Sequence, residues 1–246
     1  MSGRWLGVLT VTVMLAAWEL LGRSGLVGEF YLPPVSKVAA TLVSGEFLRV
    51  AGGHLGTTLW RATAGYAAAA ALGVPLGVAV GRSERLRAAL DPPLESLRPL
   101  PSSAIIPVAL LFLGLGASME IFVVAFGSLW PVLVATAQGA RTLDPVMLET
   151  ARLLKLSRTD VLLRVVVPGS APFIAAGLRT SLAIALILAV TAEMIAGSAG
   201  IGFYILDMER GFATREMYAA IVAIGATGYL LNAAFTAAEA RLIDWA

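Results

Sequence analysis

The stretch that decides the fold lies at residues 121–140, which read IFVVAFGSLWPVLVATAQGA. These residues contain no charged side chain, and an α-helix of about 20 apolar residues crosses the roughly 30 Å hydrocarbon layer of a membrane. The whole chain has the same character, since 58% of its 246 residues are hydrophobic and 14% are charged. That charge content is about half of what a soluble domain carries. The chain is therefore predicted to be an all-α membrane protein.

Five further segments are long and apolar enough to be membrane helices. They are residues 5–22, 62–81, 100–119, 172–197 and 217–238. The sequence thus predicts six transmembrane helices in a single domain over residues 1–246. The first segment is interpreted as a retained anchor helix. A cleaved signal peptide is the alternative, although the residues from Glu19 to Arg23 make a poor cleavage site.

The residue content excludes several classes of function. The chain has no Cys and one His, so disulfides and thiolate chemistry are impossible and no metal site is expected. A membrane-embedded enzyme is a poor interpretation for the same reason. A net charge of +2 is too small for a nucleic-acid-binding face, so the lipid bilayer and not nucleic acid is the expected environment.

Positive charges fall unevenly on the two sides of the predicted bundle. If the N-terminus lies inside, the inner loops hold eleven Arg and Lys residues, Arg98 among them, and the outer loops hold five. Cytoplasmic loops are the ones enriched in Arg and Lys. Both termini and the loop at residues 142–171 are therefore predicted to be cytoplasmic.

Residues 142–171 also carry the signals of two short helices. Asp144 followed by Pro145 is a typical helix start, with Asp as N-cap and Pro in the first turn. Ser157 and Asp160 have the spacing of a capping box. They predict a second helix that begins at residue 158 and ends at Pro168, where a proline interrupts helical hydrogen bonding.

Six apolar side chains of this loop need a partner surface. They could pack on the ends of the membrane helices, or they could form a docking surface for a cytoplasmic protein, and the residues leave both open. The six are Val146, Leu153, Leu154, Val161, Leu162 and Val165.

The same loop resembles a known family. Residues 149–157 read ETARLLKLS and residues 165–168 read VVVP, which resembles the EAA loop of bacterial ABC-importer permeases. The TLWR of residues 58–61, the RPLP of residues 98–101 and the GIG of residues 200–202, which follows Ala192-Glu193, resemble the branch that imports nitrate, sulfonates and taurine. The resemblance covers about residues 54–238.

The resemblance implies a division of labour between subunits. The chain would form the translocation pathway for a small solute, with an anion such as a sulfonate, taurine or nitrate as the expected class. It would act as a homodimer in the bacterial inner membrane, with a dimer of ATP-binding subunits below and a soluble solute-binding protein outside. This chain would bind no cofactor, since ATP and Mg would belong to the ATPase, and its sequence contains no GxxxxGK[ST] phosphate loop.

The loop residues are the implied contact with the ATPase. The coupling residues carried over from the family pattern are Glu149, Thr150, Ala151, Leu154, Lys155, Leu156, Ser157 and Pro168. Two positions depart from that pattern, because Thr150 replaces an Ala and Lys155 replaces a Gly. A Gly would allow a left-handed turn between the helices. Lys155 must therefore adopt that conformation with strain, or the turn must form differently.

Charges and glycines inside the predicted spans are the remaining candidates. Charged side chains in a membrane are costly and often functional, so Arg61, Arg179 and Glu193 are pathway or gate candidates. The alternatives are that Arg61 pairs with Glu19, that Arg179 extends to the inner surface, and that Glu193 bonds to a neighbouring helix.

Gly73, Gly77 and Gly81 recur every fourth residue and predict a face on which another helix packs closely. Packing within one subunit is the simpler interpretation, and a subunit interface or gate is the other. His54 is interpreted as an interfacial residue and not as a ligand. Ala199–Gly202 resembles a phosphate loop only superficially and is interpreted as a turn, with a short amphipathic helix at residues 204–210.

A secondary transporter that acts alone is the rival function. Such proteins need coupling charges near the middle of the membrane and often contain internal repeats. This sequence has no convincing repeat, and its charges cluster near the ends of the predicted spans.

Overall fold

The computed structural model describes residues 3–97 and 99–243, and all regular structure in this part of the chain is helical. The all-α prediction is confirmed. The helices are α1 Gly3–Arg23, α2 Val35–Leu42, α3 Gly45–Arg82, α4 Glu84–Leu97, α5 Ile106–Leu113, α6 Ala117–Arg141, α7 Pro145–Leu153, α8 Arg158–Val161, α9 Val167–Ala196, α10 Ile201–Arg210 and α11 Thr214–Leu242. A 3-10 turn at Ser102–Ile105 precedes α5, and a π-helical turn at Leu162–Val166 joins α8 to α9.

Five helical segments are long and apolar enough to cross a membrane: α1, α3, α6, the joined α8–α9 segment and α11. A sixth span exists if α4 and the segment Ser102–Leu113, which meet at a bend of 86°, are taken together. The predicted six spans agree with the structure in that sense. Arg98 is one of the positive charges assigned to the inner loops and the first residue of the RPLP at residues 98–101. It lies outside the described residues.

The prediction of one uninterrupted helix over residues 100–119 is wrong. α5 is only eight residues long, about 12 Å at 1.5 Å per residue. Gly114 at φ 70° and Gly116 at φ 126° separate it from α6, and these angles are ones that L side chains rarely adopt. Hydropathy averaged over the segment does not register such breaks.

The second predicted span is much longer than expected. It was predicted to begin at residue 62, but α3 begins at Gly45, with the Ser44 hydroxyl accepting a hydrogen bond from the Phe47 amide as N-cap. α3 therefore measures 38 residues, or about 57 Å, and extends well beyond a hydrocarbon layer. Before it, the short helix α2 begins directly after Pro33-Pro34.

Glycines hold α3 against α6 at the centre of the bundle. A Cβ atom added at Gly77 would lie 2.6 Å from the Thr136 Cβ, and one added at Gly81 would lie 2.5 Å from the Ala137 carbonyl oxygen. Gly73 faces Val132 in the same way. The three glycines thus let two helices approach to backbone contact within one chain.

The two ends of the bundle have separate apolar clusters. Val38, Phe47 and Tyr204 belong to the cluster that packs α2, α3, α10 and α11 together at one end. At the other end, Leu143 and Val166 pack against α3 and α6. These clusters are termed the α10 end and the α7 end of the molecule.

Candidate functional site

Local capping positions the two short helices at the α7 end. The Asp144 Oδ1 atom accepts a hydrogen bond of 2.9 Å from the Val146 amide, and Pro145 stands in the first turn of α7. The Ser157 hydroxyl accepts a hydrogen bond of 3.1 Å from the Asp160 amide at the start of α8. Both helix starts were predicted from the sequence. Residues 144–157 are termed the α7 knob.

The helix that begins at residue 158 was predicted to end at Pro168, and that predicted end is wrong. The chain continues through one π-helical turn, in which the Val167 amide donates to the Leu162 carbonyl oxygen five residues earlier. Pro168 then occupies the first turn of α9, where its missing amide hydrogen is tolerated. Residues 158–196 therefore form one helical rod of 39 residues.

Lys155 adopts the left-handed conformation at the end of α7, with φ 52°. The Lys155 amide donates to the Arg152 carbonyl oxygen at 2.9 Å, and the Leu156 amide donates to the Ala151 carbonyl oxygen at 3.1 Å. These two bonds form a Schellman motif, which usually has Gly at the left-handed position. Of the two possibilities that the sequence left open, the structure has the strained one.

The α7 knob has one buried face and one exposed face. Ala151 is 3% exposed, and Leu148 and Val161 pack against the cluster at the α7 end. On the opposite side Leu153 is 83% exposed and Leu154 is 68% exposed. The apolar side chains of this loop therefore divide, since some brace the knob and others are left uncovered by the described residues of this chain.

The other coupling candidates lie around the exposed face. Glu149, Thr150 and Lys155 are exposed, Leu156 is half-buried, and the Thr150 hydroxyl donates only to the Val146 carbonyl oxygen of its own helix. Val146 is also 63% exposed. The exposed face thus combines charged, polar and apolar groups on a capped and braced element.

A second cluster of interest is a buried polar network at the α10 end. Arg61 from α3 lies 2.5 Å from Glu120 of α6 and 3.6 Å from Glu193 of α9, each measured between a guanidinium nitrogen and a carboxylate oxygen. Arg61 also donates to the Ala199 carbonyl oxygen at 2.9 Å. Glu120 and Glu193 are almost completely buried. The network therefore joins three long helices and the turn that leads into α10.

The α10 helix begins inside this network. Its first free amides at Gly200, Ile201 and Gly202 donate to side chains from other helices. The acceptors are the His54 Nδ1 atom at 3.1 Å, the Thr58 hydroxyl at 2.7 Å and the Glu193 carboxylate at 3.0 Å. A carboxylate at a helix N-terminus satisfies amides that have no partner within the helix. The amides of residues 200–202 thus donate to side chains of the same protein, one of which is the Glu193 carboxyl group.

Sequence reasoning missed Glu120 because it fell between two predicted spans. A signal was present, since Glu120 is the only charged residue between Arg98 and Arg141. The alternative that Arg61 pairs with Glu19 is wrong. Glu19 instead bonds to Arg23 and to the Ser36 amide and hydroxyl, because α1 packs against α2.

Arg179 lies apart from the network. Its guanidinium forms an ion pair with Glu239 near the end of α11, which joins α9 to α11 toward the α7 end. The structure therefore brings two of the three charged candidates together, Arg61 and Glu193, and gives the third a structural partner.

Comparison with known proteins agrees on one family. Residues 73–244 match the family described as binding-protein-dependent transport system inner membrane component. A putative aliphatic sulfonates transport permease of Bacillus subtilis (strain 168) is 32% identical over 97% of this chain and 87% of its own length. The taurine transport system permease of Escherichia coli (strain K12) is 31% identical over 98% and 89%. A nitrate import permease of Leptolyngbya laminosa is 34% identical over 90% and 81%.

The fold is similar to that of a solved transporter. A chain of the MetNI methionine ABC transporter, in an inward-facing conformation, superposes with a TM-score of 0.69 at 15% identity and covers 82% of this chain and 98% of its own. A second crystal form of the same transporter gives the same values. At this identity the likeness concerns the fold alone.

Proposed function

The chain belongs to the family of binding-protein-dependent transport system inner membrane components, and from this premise we propose that it is the permease subunit of an ATP-driven importer in a bacterial inner membrane. Two copies form the translocation pathway. A dimer of ATP-binding subunits and a soluble solute-binding protein complete the complex. ATP and Mg are bound by the ATP-binding subunits, since this chain has no phosphate loop.

The observation that carries the proposal is the exposed face of the α7 knob. Four apolar side chains of the knob, Val146, Met147, Leu153 and Leu154, are exposed, and an exposed apolar patch marks a site of interaction with a protein or a membrane. The knob is also rigid, because two caps, a Schellman motif and buried Ala151 fix its shape. A rigid element with an apolar tip suits a docking site through which an ATPase moves the permease as a body.

The excess of Arg and Lys supports a cytoplasmic α7 end. Arg141, Arg152, Arg158 and Arg164 all lie near the knob, and such residues are retained on the cytoplasmic side. With that orientation both termini are cytoplasmic and the α10 end faces outward, toward the solute-binding protein.

The solute class is proposed from the relatives. Three similar permeases are named for the transport of aliphatic sulfonates, taurine and nitrate, of which sulfonates and nitrate are anions. We infer a small anionic or zwitterionic solute for this chain, with much of the selection made by the solute-binding protein.

The test is a charge reversal on the exposed face of the knob. The parent chain is expressed together with its whole transporter. It co-elutes with an ATPase on purification, and the host that expresses it shows ATP-dependent uptake. Glu149→Lys lowers both uptake and ATPase co-elution while membrane insertion is unchanged. Glu84→Lys, an equal reversal on a highly exposed side chain of α4 that lies outside the knob residues 144–157, is the matched control and keeps both. Unchanged uptake in Glu149→Lys would refute the docking role.

A further inference from the structure

Glu193 stands at the far end of the helical rod that starts in the knob. Residues 158–196 are helical without a gap, and Arg158 and Glu193 are 35 positions apart, or about 52 Å along the axis. One end of the rod follows the α7 knob, and the other end lies in the buried polar network. A displacement of the knob therefore reaches Glu193 if the rod moves as a rigid body.

Glu193 is attached to α10 with little freedom. One of its carboxylate oxygens accepts hydrogen bonds from the Thr58 hydroxyl at 2.8 Å and from the Gly202 amide at 3.0 Å. An added Cβ atom at Gly200 would overlap the Glu193 carboxyl group, and one at Gly202 would overlap the Val190 carbonyl oxygen and lie 3.0 Å from the Glu193 Cβ atom. The N-terminus of α10 thus follows any movement of the Glu193 carboxylate.

Arg61 and Thr58 connect this attachment to α3. Thr58 is completely buried, and its hydroxyl accepts from the Ile201 amide as well as bonding to Glu193. Arg61 contacts Glu120, Glu193 and Ala199 through one guanidinium nitrogen. Buried charge networks of this kind keep one arrangement or exchange it for another and do not deform gradually, because an unpaired buried charge is costly.

The far side of α10 is available to another molecule. Asp207, Glu209 and Arg210 are exposed on the α10 face that points away from the bundle. In the proposed orientation this face is outermost. It is therefore a surface whose position would be set by the network beneath it.

We propose that Thr58, Arg61 and Glu193 form a latch that positions α10 and passes displacements between the α7 knob and the outer surface. These three are positioning residues, and the proposal rests on the proposed importer function. Because coupling between two sites is reciprocal, the same latch carries the binding of a solute-loaded receptor at the outer surface back to the ATPase.

The test uses a reporter on α10 in the assembled transporter. The chain has no native Cys, so Glu209→Cys gives a single site for a membrane-impermeant maleimide. In the parent background, trapping the ATPase with a non-hydrolysable ATP analogue changes the labelling rate at this site. Thr58→Val removes the hydroxyl at nearly constant volume and reduces that change by about fivefold or more, a usual size for allosteric coupling. Thr58→Ser, which keeps the hydroxyl, restores it.

Two further variants separate the latch from general damage. Thr191→Val removes a hydroxyl of α9 instead. Among the described residues that hydroxyl bonds only to Ile187 of its own helix, so labelling stays coupled to nucleotide. If Thr58→Val does not fold, His54→Ala removes the acceptor of the Gly200 amide and tests the same attachment. Any of three results would overturn the proposal. The first two are a full nucleotide-dependent change of labelling in Thr58→Val and an equal loss of that change in Thr58→Ser and Thr58→Val. The third is a labelling rate in the parent that does not depend on nucleotide.

A measurement on the permease alone keeps the two proposals distinguishable. Hydrogen exchange at the Ile201 and Gly202 amides is slow in the parent, faster in Thr58→Val, and slow in Thr58→Ser and Thr191→Val. If no ATPase assembles with the parent chain, the importer function fails although this exchange pattern holds. If the complex assembles and the exchange or labelling pattern is absent, the latch alone fails.

Discussion

At the residue scale, two side chains occupy backbone conformations that usually require Gly. Lys155 has φ 52° and Phe212 has φ 60°, and each stands at the left-handed position of a Schellman motif, one at the end of α7 and one at the end of α10. A Cβ atom in this region costs about 1–2 kcal/mol per residue. The strained turns thus flank the two elements that are proposed to meet partner proteins.

Lys155→Gly is expected to stabilise the turn of the knob. It removes the left-handed strain, and the gain is about 1 kcal/mol or less because Gly also has more freedom in the unfolded chain. The thermal midpoint of the detergent-purified protein should rise slightly. Lys155→Ala, which loses the amine and keeps the Cβ atom, should not show the rise. Equal midpoints for the Gly and Ala variants would mean that the turn is not strained.

Glu29, in the segment between α1 and α2, gives a prediction about pH. Two hydrogen bonds hold the pKa of its carboxyl group below the usual 4.5. The bond from Lys37 has the larger effect, and the bond from Arg215 adds to it. A lowered pKa stabilises the folded state above pH 4.5, and this contribution disappears as the pH falls through the folded-state pKa. The difference in thermal midpoint between the parent and Glu29→Gln should therefore be present at pH 7 and vanish in stronger acid. A difference that grows in acid would contradict the assigned pairs.

Residue-level features followed from the sequence where their cause is local. Asp144 and Ser157 cap helices by accepting hydrogen bonds from amides two or three positions away. The neighbouring residues in the sequence are therefore enough to predict both caps. The contact of Arg61 with Glu120 and Glu193 joins residues 59 and 132 positions apart in the sequence, and no periodicity encodes it. Such a partner follows from the packing of α3 against α6 and α9.

At the element scale, the glycines of α3 decide how closely two long helices approach. Gly77→Ala should destabilise the protein by about 1–3 kcal/mol, as overpacking commonly does, because its Cβ atom would lie 2.6 Å from Thr136 and 2.7 Å from the Leu133 carbonyl oxygen. Gly53→Ala is the matched control in the same helix, since no described atom outside the adjacent residues and the nearby helix backbone lies within 4 Å of its added Cβ. It should be neutral or slightly stabilising, because Ala favours helix more than Gly. Similar thermal midpoints for both variants would contradict close packing at Gly77.

Elements were predicted less well where apolar content and helix continuity disagree. Residues 100–119 are apolar enough to span, yet glycines at 114 and 116 with positive φ break the chain there. Pro168 suggested a helix end, yet a π-helical turn carries the helix past it. In both cases the backbone geometry of one or two residues decides the outcome, and hydropathy does not report it.

At the scale of the whole molecule, the all-α membrane architecture followed from hydrophobicity alone. Apolar segments of about 20 residues have few structures open to them in a bilayer other than helices, so the type of the elements and the approximate number of spans were predictable. The arrangement of α3, α6 and α9 around the network was not, because helices that are apolar on every side carry little information about which faces meet. The two functional ends are therefore properties of the packed molecule.

The central claim is that an ATP-hydrolysing partner covers the exposed face of the α7 knob. Since the chain has no Cys, Leu153→Cys can be cross-linked with a short bifunctional reagent in membranes that contain the whole transporter. We expect a product that combines the masses of this chain and its ATP-binding subunit. Phe212→Cys, at the opposite end and also highly exposed, should give no such product. Reaction of Leu153→Cys with a membrane-impermeant reagent added outside intact cells, without a cross-link to any ATPase, would contradict it.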